Sequence, residues 1–259
     1  MNRHNFNLKE ELLRTPIAHR GYFNEVHPEN SLGAFQRAVD HGFAVELDIQ
    51  MTKDDVVVVF HDNDLHRMCG VSKKVKELTY EEIKQLSLYD TNATVPTFEE
   101  VLAVLDSKVL VVVEFKSVKG KNEILVDKAI EMLRNYPGKF VVQSFDPTIV
   151  RQLMKKAPEF RRGLLVGDMR EAEYPKLLRY ALSHMHLNFM CKPEFIDTDW
   201  NWCPKRMERW HKKGKLLICY TARSLEQYEF ALNKYDNVIF EQFDPVPLFE
   251  ANKLNKSSK

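Results

Sequence analysis

The residues able to do chemistry in this chain fall in five short groups: His19-Arg20-Gly21, Pro28-Glu29-Asn30-Ser31, Glu46-Leu47-Asp48, His61-Asp62 and Glu114-Phe115-Lys116. Each closes or follows an apolar run that reads as buried strand, where an isolated charge is costly unless it joins others at one site. Glu46 and Asp48 stand two apart at the end of such a run, so the alternation of a strand aims both carboxylates the same way. Glu114 ends the run Val109-Leu110-Val111-Val112-Val113. Three carboxylates at one end of a parallel barrel form an all-oxygen set, which suits one hard divalent cation, Mg2+ or Ca2+, better than zinc. The alternative, solvated charges at strand ends, needs the same coincidence three times. His19 and His61 both follow apolar strands and can border one cavity as proton-transfer groups. Arg20 and Lys116 add fixed positive charge suited to a phosphate, a salt bridge to a metal-site carboxylate being the other reading of Arg20.

Groups so far apart in sequence must be collected by a scaffold. Strand-like and helix-like runs alternate along the whole chain, the pattern of a parallel sheet covered by helices. The strands are expected at Pro16 to His19, Ala44 to Met51, Val109 to Glu114, Phe140 to Ser144, Arg162 to Val166, Met185 to Phe189, Leu216 to Tyr220 and Val238 to Glu241. Helices are expected near 31–41, 97–106, 122–135, 147–156, 171–183, 201–213, 224–234 and 246–252. Ser31 reads as a cap, Thr97 opens a capping box, and Asp146-Pro147 gives a cap followed by a first-turn proline. Eight such units make an α/β fold of the TIM type, a (β/α)8 barrel in a single domain over 1–259. One stretch, about 56–96, breaks the alternation after the second strand and reads as a small insertion. The polar tail 254–259 is expected to fray.

Composition narrows the class. Lys plus Arg number 38 against 37 for Asp plus Glu, so no global field draws the protein to nucleic acid or anionic lipid, and a small-molecule partner is expected. The first fourteen residues include Glu10 and Glu11 and carry no apolar signal segment, and no apolar run is long enough to span a membrane. A soluble cytoplasmic protein without stable membrane insertion is the expectation, with its oligomeric state open. Cys69, Cys191, Cys203 and Cys219 are far apart and read as reduced thiols. No glycine-rich phosphate loop or nucleophile elbow is present, and Ser144 has no adjacent base.

The order Ile17-Ala18-His19-Arg20-Gly21, Pro28-Glu29-Asn30-Ser31, Ala34-Phe35, Gly42, Glu46-Leu47-Asp48, His61-Asp62, Leu65, Arg67, Gly70, Val95-Pro96-Thr97, Glu114 with Lys116, and Gln143-Ser144-Phe145 resembles the glycerophosphodiester phosphodiesterases. The resemblance is specific over about 16–146. It implies a metal-dependent hydrolase of glycerol and lipid metabolism that converts a glycerophosphodiester to sn-glycerol 3-phosphate and an alcohol. Glu46, Asp48 and Glu114 would bind the metal, His19 and His61 act as general base and acid, and Arg20 with Lys116 contact phosphate. Phospholipase D-like or lysophospholipase D-like action on lipid-bearing diesters is the alternative within that chemistry, and a non-catalytic phosphate-binding barrel the alternative outside it. The later half departs from the family pattern. Tyr220-Thr221 stands where Trp-Thr is usual, and Phe240-Glu241-Gln242-Phe243-Asp244-Pro245 aligns with the final motif only with a shift. Tyr22, Phe145 and Tyr220 are expected to wall the pocket.

Overall fold

In a computed structural model of the chain, which describes residues 6–168 and 175–257, eight parallel strands close into a ring. They are β1 Ile17–Ala18, β2 Ala44–Met51, β3 Val111–Phe115, β4 Phe140–Ser144, β5 Arg162–Val166, β6 Phe195–Asp199, β7 Leu216–Ala222 and β8 Asn237–Phe240. β1 pairs with β2 on one side and β8 on the other, which closes the barrel. A helix follows each strand or its loop: α1 Leu32–Asp40, α2 Phe98–Leu105, α3 Asn122–Asn135, α4 Pro147–Lys156, α5 Lys176–Ser183, α6 Lys205–His211, α7 Leu225–Leu232 and α8 Val246–Ser257. Residues 258–259, the end of the tail expected to fray, and 171–174, the start of the expected fifth helix, lie outside the described residues.

Strand alternation divides the core into two layers. Ile17, Ala44, Val112, Val141, Phe195, Ile218 and Ile239 form one cluster with Leu8 and Leu12 of the helix Leu8–Leu12. That helix plugs the N-terminal end of the barrel, where Asn237 donates to the Leu12 carbonyl at 2.6 Å. The opposite strand faces, with Val45, Leu47, Val113, Val142 and Leu217, pack against Phe35, Val101, Leu133, Leu153 and Tyr228 of the helices. Gly163 makes the Phe195 ring possible, because a Cβ there would come within 2.3 Å of it.

The caps read from sequence are present. Ser31 accepts from Ala34 N at 3.2 Å, Thr97 and Glu100 form a reciprocal box, and Asp146 accepts from Thr148 N at 2.8 Å ahead of Pro147. The expected sixth strand at Met185 to Phe189 is corrected. Met185 adopts φ 60 and Asn188–Cys191 is a short helix, while the strand is Phe195–Asp199. The alternation Met-His-Leu-Asn-Phe satisfies a strand period by chance over five residues, with Met185 and Cys191 buried as ordinary core. The true strand was hidden by its acids: Asp197 is fully buried inside the barrel, where polar residues are not the mark of a loop.

The stretch after β2 is an excursion with its own apolar centre of Val58, Phe60, Leu65, Met68, Val75, Ile83 and Val95. Val57–Val59 lies antiparallel on the outgoing end of β2, pairing Val59 with Ile49, so it is a strand outside the ring. A hairpin of Asp64–Leu65 with Val71–Lys74 follows, then the single-turn helix Tyr80–Ile83 capped by Thr79 and Glu82.

Candidate active site

The register of β2 and β3 sets Asp48 beside Glu114 and Glu46 beside Val112. Glu46, Asp48 and Glu114 are all buried, and an oxygen from each lies within 4.8 Å of the others. Alternation turns the three carboxylates inward at the C-terminal mouth of the barrel, as two-residue spacing required. Lys116 reaches back over this cluster, donating to Glu114 Oε1 at 2.8 Å and standing 3.4 Å from Asp48 Oδ1. Against the cost of burial, Glu114 and Asp48 hold the Lys116 ammonium above its ordinary pKa.

His19 leaves β1 with its backbone N–H on the Phe240 carbonyl at 2.8 Å, and the chain then turns sharply through Arg20 (φ 54) and Gly21 (φ 81). A Cβ at Gly21 would press within 2.9 Å of the Ala34 backbone, so only glycine lets the loop lie on α1. The turn aims Arg20 N at Glu46 Oε2, 3.1 Å away, and Arg20 Nη1 at Glu29 Oε1, 2.6 Å away, with Nε 3.5 Å from Asp48. Arg20 is therefore held by carboxylates, the salt-bridge reading considered from its sequence position. Despite burial, those charges raise its pKa, Asp48 contributing most.

Both histidines are oriented by carboxylates. His19 Nδ1 donates to Glu241 Oε2 at 2.8 Å, which leaves Nε2 4.0 Å from Glu46. His61 Nδ1 donates to Asp62 Oδ1 at 2.7 Å. A carboxylate on one ring nitrogen fixes the tautomer and frees the other nitrogen for proton transfer. Burial lowers the His19 pKa and Arg20 adds to that, with the Glu241 hydrogen bond opposing. Against the upward push of burial, His19 and Arg223 hold the Glu241 carboxyl down to about 2.

The acids differ in their surroundings. Burial first, then the charges of Asp48 and Glu114, push Glu46 well above the usual carboxylate range. Asp48 goes the other way: Lys116, His61, Arg20 and a 3.0 Å hydrogen bond from Asn30 Nδ2 outweigh its burial and hold it ionised. Three crowded carboxylates, one of them pushed toward its protonated form, are an all-oxygen donor set that a divalent cation would relieve. The residues present thus fit one Mg2+ or Ca2+.

Several site residues escaped the reading of the sequence. Arg67, from the insertion, donates to Glu29 at 2.7 and 3.0 Å, to Asp62 at 2.6 and 3.1 Å, and to Tyr89 at 2.7 Å. Glu29 and Asn30 belong to a group given no role of its own beyond the Ser31 cap, yet they reach Arg20, Arg67 and Asp48. Glu241 had no clear place in the family pattern and is the partner of His19. Its signal was its position, directly beyond an apolar strand like the other five groups.

A cavity of about 450 Å3 opens beside Glu114 and Lys116, bounded by Phe145, Tyr220, Asp146 and Asp168. Phe145 and Tyr220 meet edge to face there with centroids 6.0 Å apart. Tyr22 is corrected: it packs against Phe43 and His41 and under Arg37, among the aromatics of the outer layer, because the turn at Gly21 carries it over α1. Ser144 Oγ donates to the Phe115 carbonyl at 2.7 Å and accepts from Asp146 N, a structural role. A larger cavity of about 570 Å3 lies between α2 and α3 and contains none of these groups.

Comparison with known proteins places this geometry in context. The profile of the glycerophosphoryl diester phosphodiesterase family matches residues 19–242. A glycerophosphodiester phosphodiesterase of Caldanaerobacter subterraneus subsp. tengcongensis is 31% identical over 223 residues, covering 82% of this chain and 87% of that protein. Among solved structures, a glycerophosphodiester phosphodiesterase of Thermotoga maritima is 25% identical with a TM-score of 0.67, over 92% of this chain and 97% of its own. An Oleispira antarctica phosphodiesterase in complex with the product sn-glycerol-3-phosphate shares the fold at 21% identity and a TM-score of 0.73, over 94% and 96% of the two chains.

Proposed function

The chain belongs to the glycerophosphoryl diester phosphodiesterase family, a family of phosphoric diester hydrolases, and from that premise we propose that it hydrolyses soluble glycerophosphodiesters to sn-glycerol 3-phosphate and an alcohol. The observation that carries the reading is the pairing of two carboxylate-oriented histidines with a buried three-carboxylate cluster. His19 and His61 act as general base and acid. One takes the proton from the attacking oxygen, the P–O bond to the alcohol breaks, and the other returns a proton to the departing oxygen. Glu46, Asp48 and Glu114 would hold one Mg2+ or Ca2+, which when bound supplies Lewis-acid polarisation of the phosphoryl oxygens. Lys116 and Arg20 contribute positive charge against the charge that develops on phosphate, while Glu29 and Asp48 keep Arg20 in place. Phe145 and Tyr220 wall the space beside the reacting group. The four cysteines are free thiols, which supports a reducing, cytoplasmic setting.

Glycerophosphocholine hydrolysis, followed by release of sn-glycerol 3-phosphate, tests this directly. EDTA should abolish the activity and added Mg2+ or Ca2+ restore it. His19→Ala and His61→Ala should each lower kcat by roughly 100- to 10,000-fold. Full activity in either variant would sink the two-histidine scheme.

A further inference from the structure

Next to the catalytic cavity is a smaller one of about 190 Å3, lined by Gln50, Asn63, Lys74, Lys76, Ser117 and Lys119. Asn63 and Ser117 also line the catalytic cavity, so the two share a wall. Nearby lysines are spoken for, Lys116 by Glu114 and Lys121 by Asp55. Lys74, Lys76 and Lys119 form no ion pair among the described residues, and Lys74 and Lys119 are exposed at the rim while Lys76 is half-buried.

The backbone that positions His61 also positions Lys74 and Lys76. Gln50 Nε2 donates to the Phe60 carbonyl at 2.7 Å and the Asp62 carbonyl at 2.8 Å, fixing the His61 segment from both sides. Asn63 then accepts from Val75 N at 3.1 Å, which ties down the turn between Lys74 and Lys76. The catalytic cavity is also lined by Asp146, Asp168 and Asp199, with Asp146 accepting from Ser117 Oγ at 3.1 Å. The smaller cavity is thus lined by cations and the larger one carries these three aspartates, a difference that attracts an anionic group to the smaller cavity.

We propose that the lysine cavity is the subsite for the alcohol half of the substrate and selects alcohols that carry an anionic group of their own, a phosphate above all. The inference rests on the hydrolytic reading, with His61 as the acid that protonates the departing alcohol. Lys74 and Lys76 from the insertion and Lys119 from the loop after β3 converge on that anion, while sn-glycerol 3-phosphate stays over the carboxylate cluster.

Glycerophosphoinositol and glycerophosphoinositol 4-phosphate, which differ by one phosphate on the alcohol, are a matched test. The protein should favour the phosphorylated diester by about tenfold in kcat/KM. Combined Lys74→Gln, Lys76→Gln and Lys119→Gln should bring the ratio close to one, and the ratio cancels any general loss of folded enzyme. Equal rates in the unaltered protein, or a preference that survives the triple substitution, overturn the subsite. Should neither diester be cleaved, the hydrolytic reading fails, and calorimetric binding of inositol 4-phosphate decides the subsite by itself. Binding that disappears in the triple variant upholds it, and absent or unchanged binding overturns it.

Discussion

His19 and His61 share one device, a ring whose Nδ1 is tied to a carboxylate and whose Nε2 is left to the site. Asp62 follows His61 in sequence, so its partnership is nearly built in. Glu241 is 222 residues from His19 and meets it only because β8 lies beside β1. The carboxylate's value is orientation, and a small misplacement of a proton-transfer group can cost about 100-fold in rate. Glu241→Gln keeps the shape and removes the charge. It should lower kcat by roughly 10- to 100-fold with KM nearly unchanged, and steady-state kinetics on glycerophosphocholine checks the split. An equal rise in KM at constant kcat would place Glu241 in substrate binding instead.

The insertion is joined to the barrel by a chain of alternating charges. Arg67 spans Glu29 of the first loop and Asp62 beside His61, and Glu29 passes the connection on to Arg20. Arg67 is 41% exposed in its side chain, so solvent screens much of its electrostatic worth, yet its fork satisfies two carboxylates at once. Lysine cannot copy that geometry. Arg67→Lys should cost about 1 kcal/mol of stability, seen as a small drop in the denaturant midpoint, and should speed amide exchange between 61 and 77 more than in α3 or α4. Uniform exchange along the chain would show that Arg67 does not dock the insertion. The same element scale explains the misread strand. Phe195–Asp199 reads Phe-Ile-Asp-Thr-Asp, two apolar residues followed by three polar ones, which local reading takes for a surface loop although four of the five are buried, while the cap signals at Ser31, Thr97 and Asp146 act within one turn and were legible.

Closing the barrel puts one more carboxyl where water cannot follow. Asp197 is fully buried, and its Oδ2 accepts from Gln143 at 3.0 Å. Burial, opposed by that amide and reinforced by the charge of Glu114, raises its pKa well above the ordinary value. Between the unfolded pKa of about 3.9 and the folded one, the native state binds more protons than the unfolded chain, so this group's contribution weakens as pH rises. Asp197→Asn should therefore be more stable than the parent at pH 8 by about 1 kcal/mol or more, with the advantage shrinking toward pH 4. Parallel stability curves in denaturant titrations across that range would contradict the raised pKa.

Sequence by itself determined the (β/α)8 barrel and the convergence of Glu46, Asp48 and Glu114 at its mouth, because each follows from a local rule. Strand alternation sets which way Glu46 and Asp48 point, and the end of an apolar run marks the barrel mouth. Only the tertiary structure decided the partners: Glu241 for His19, Glu29 for Arg20 and Arg67, Asn30 for Asp48, and the lysine cavity beside His61. Those contacts join residues whose separation in the chain carries no periodic signal, and ring closure with the docked insertion alone brings their charged atoms within hydrogen-bonding reach.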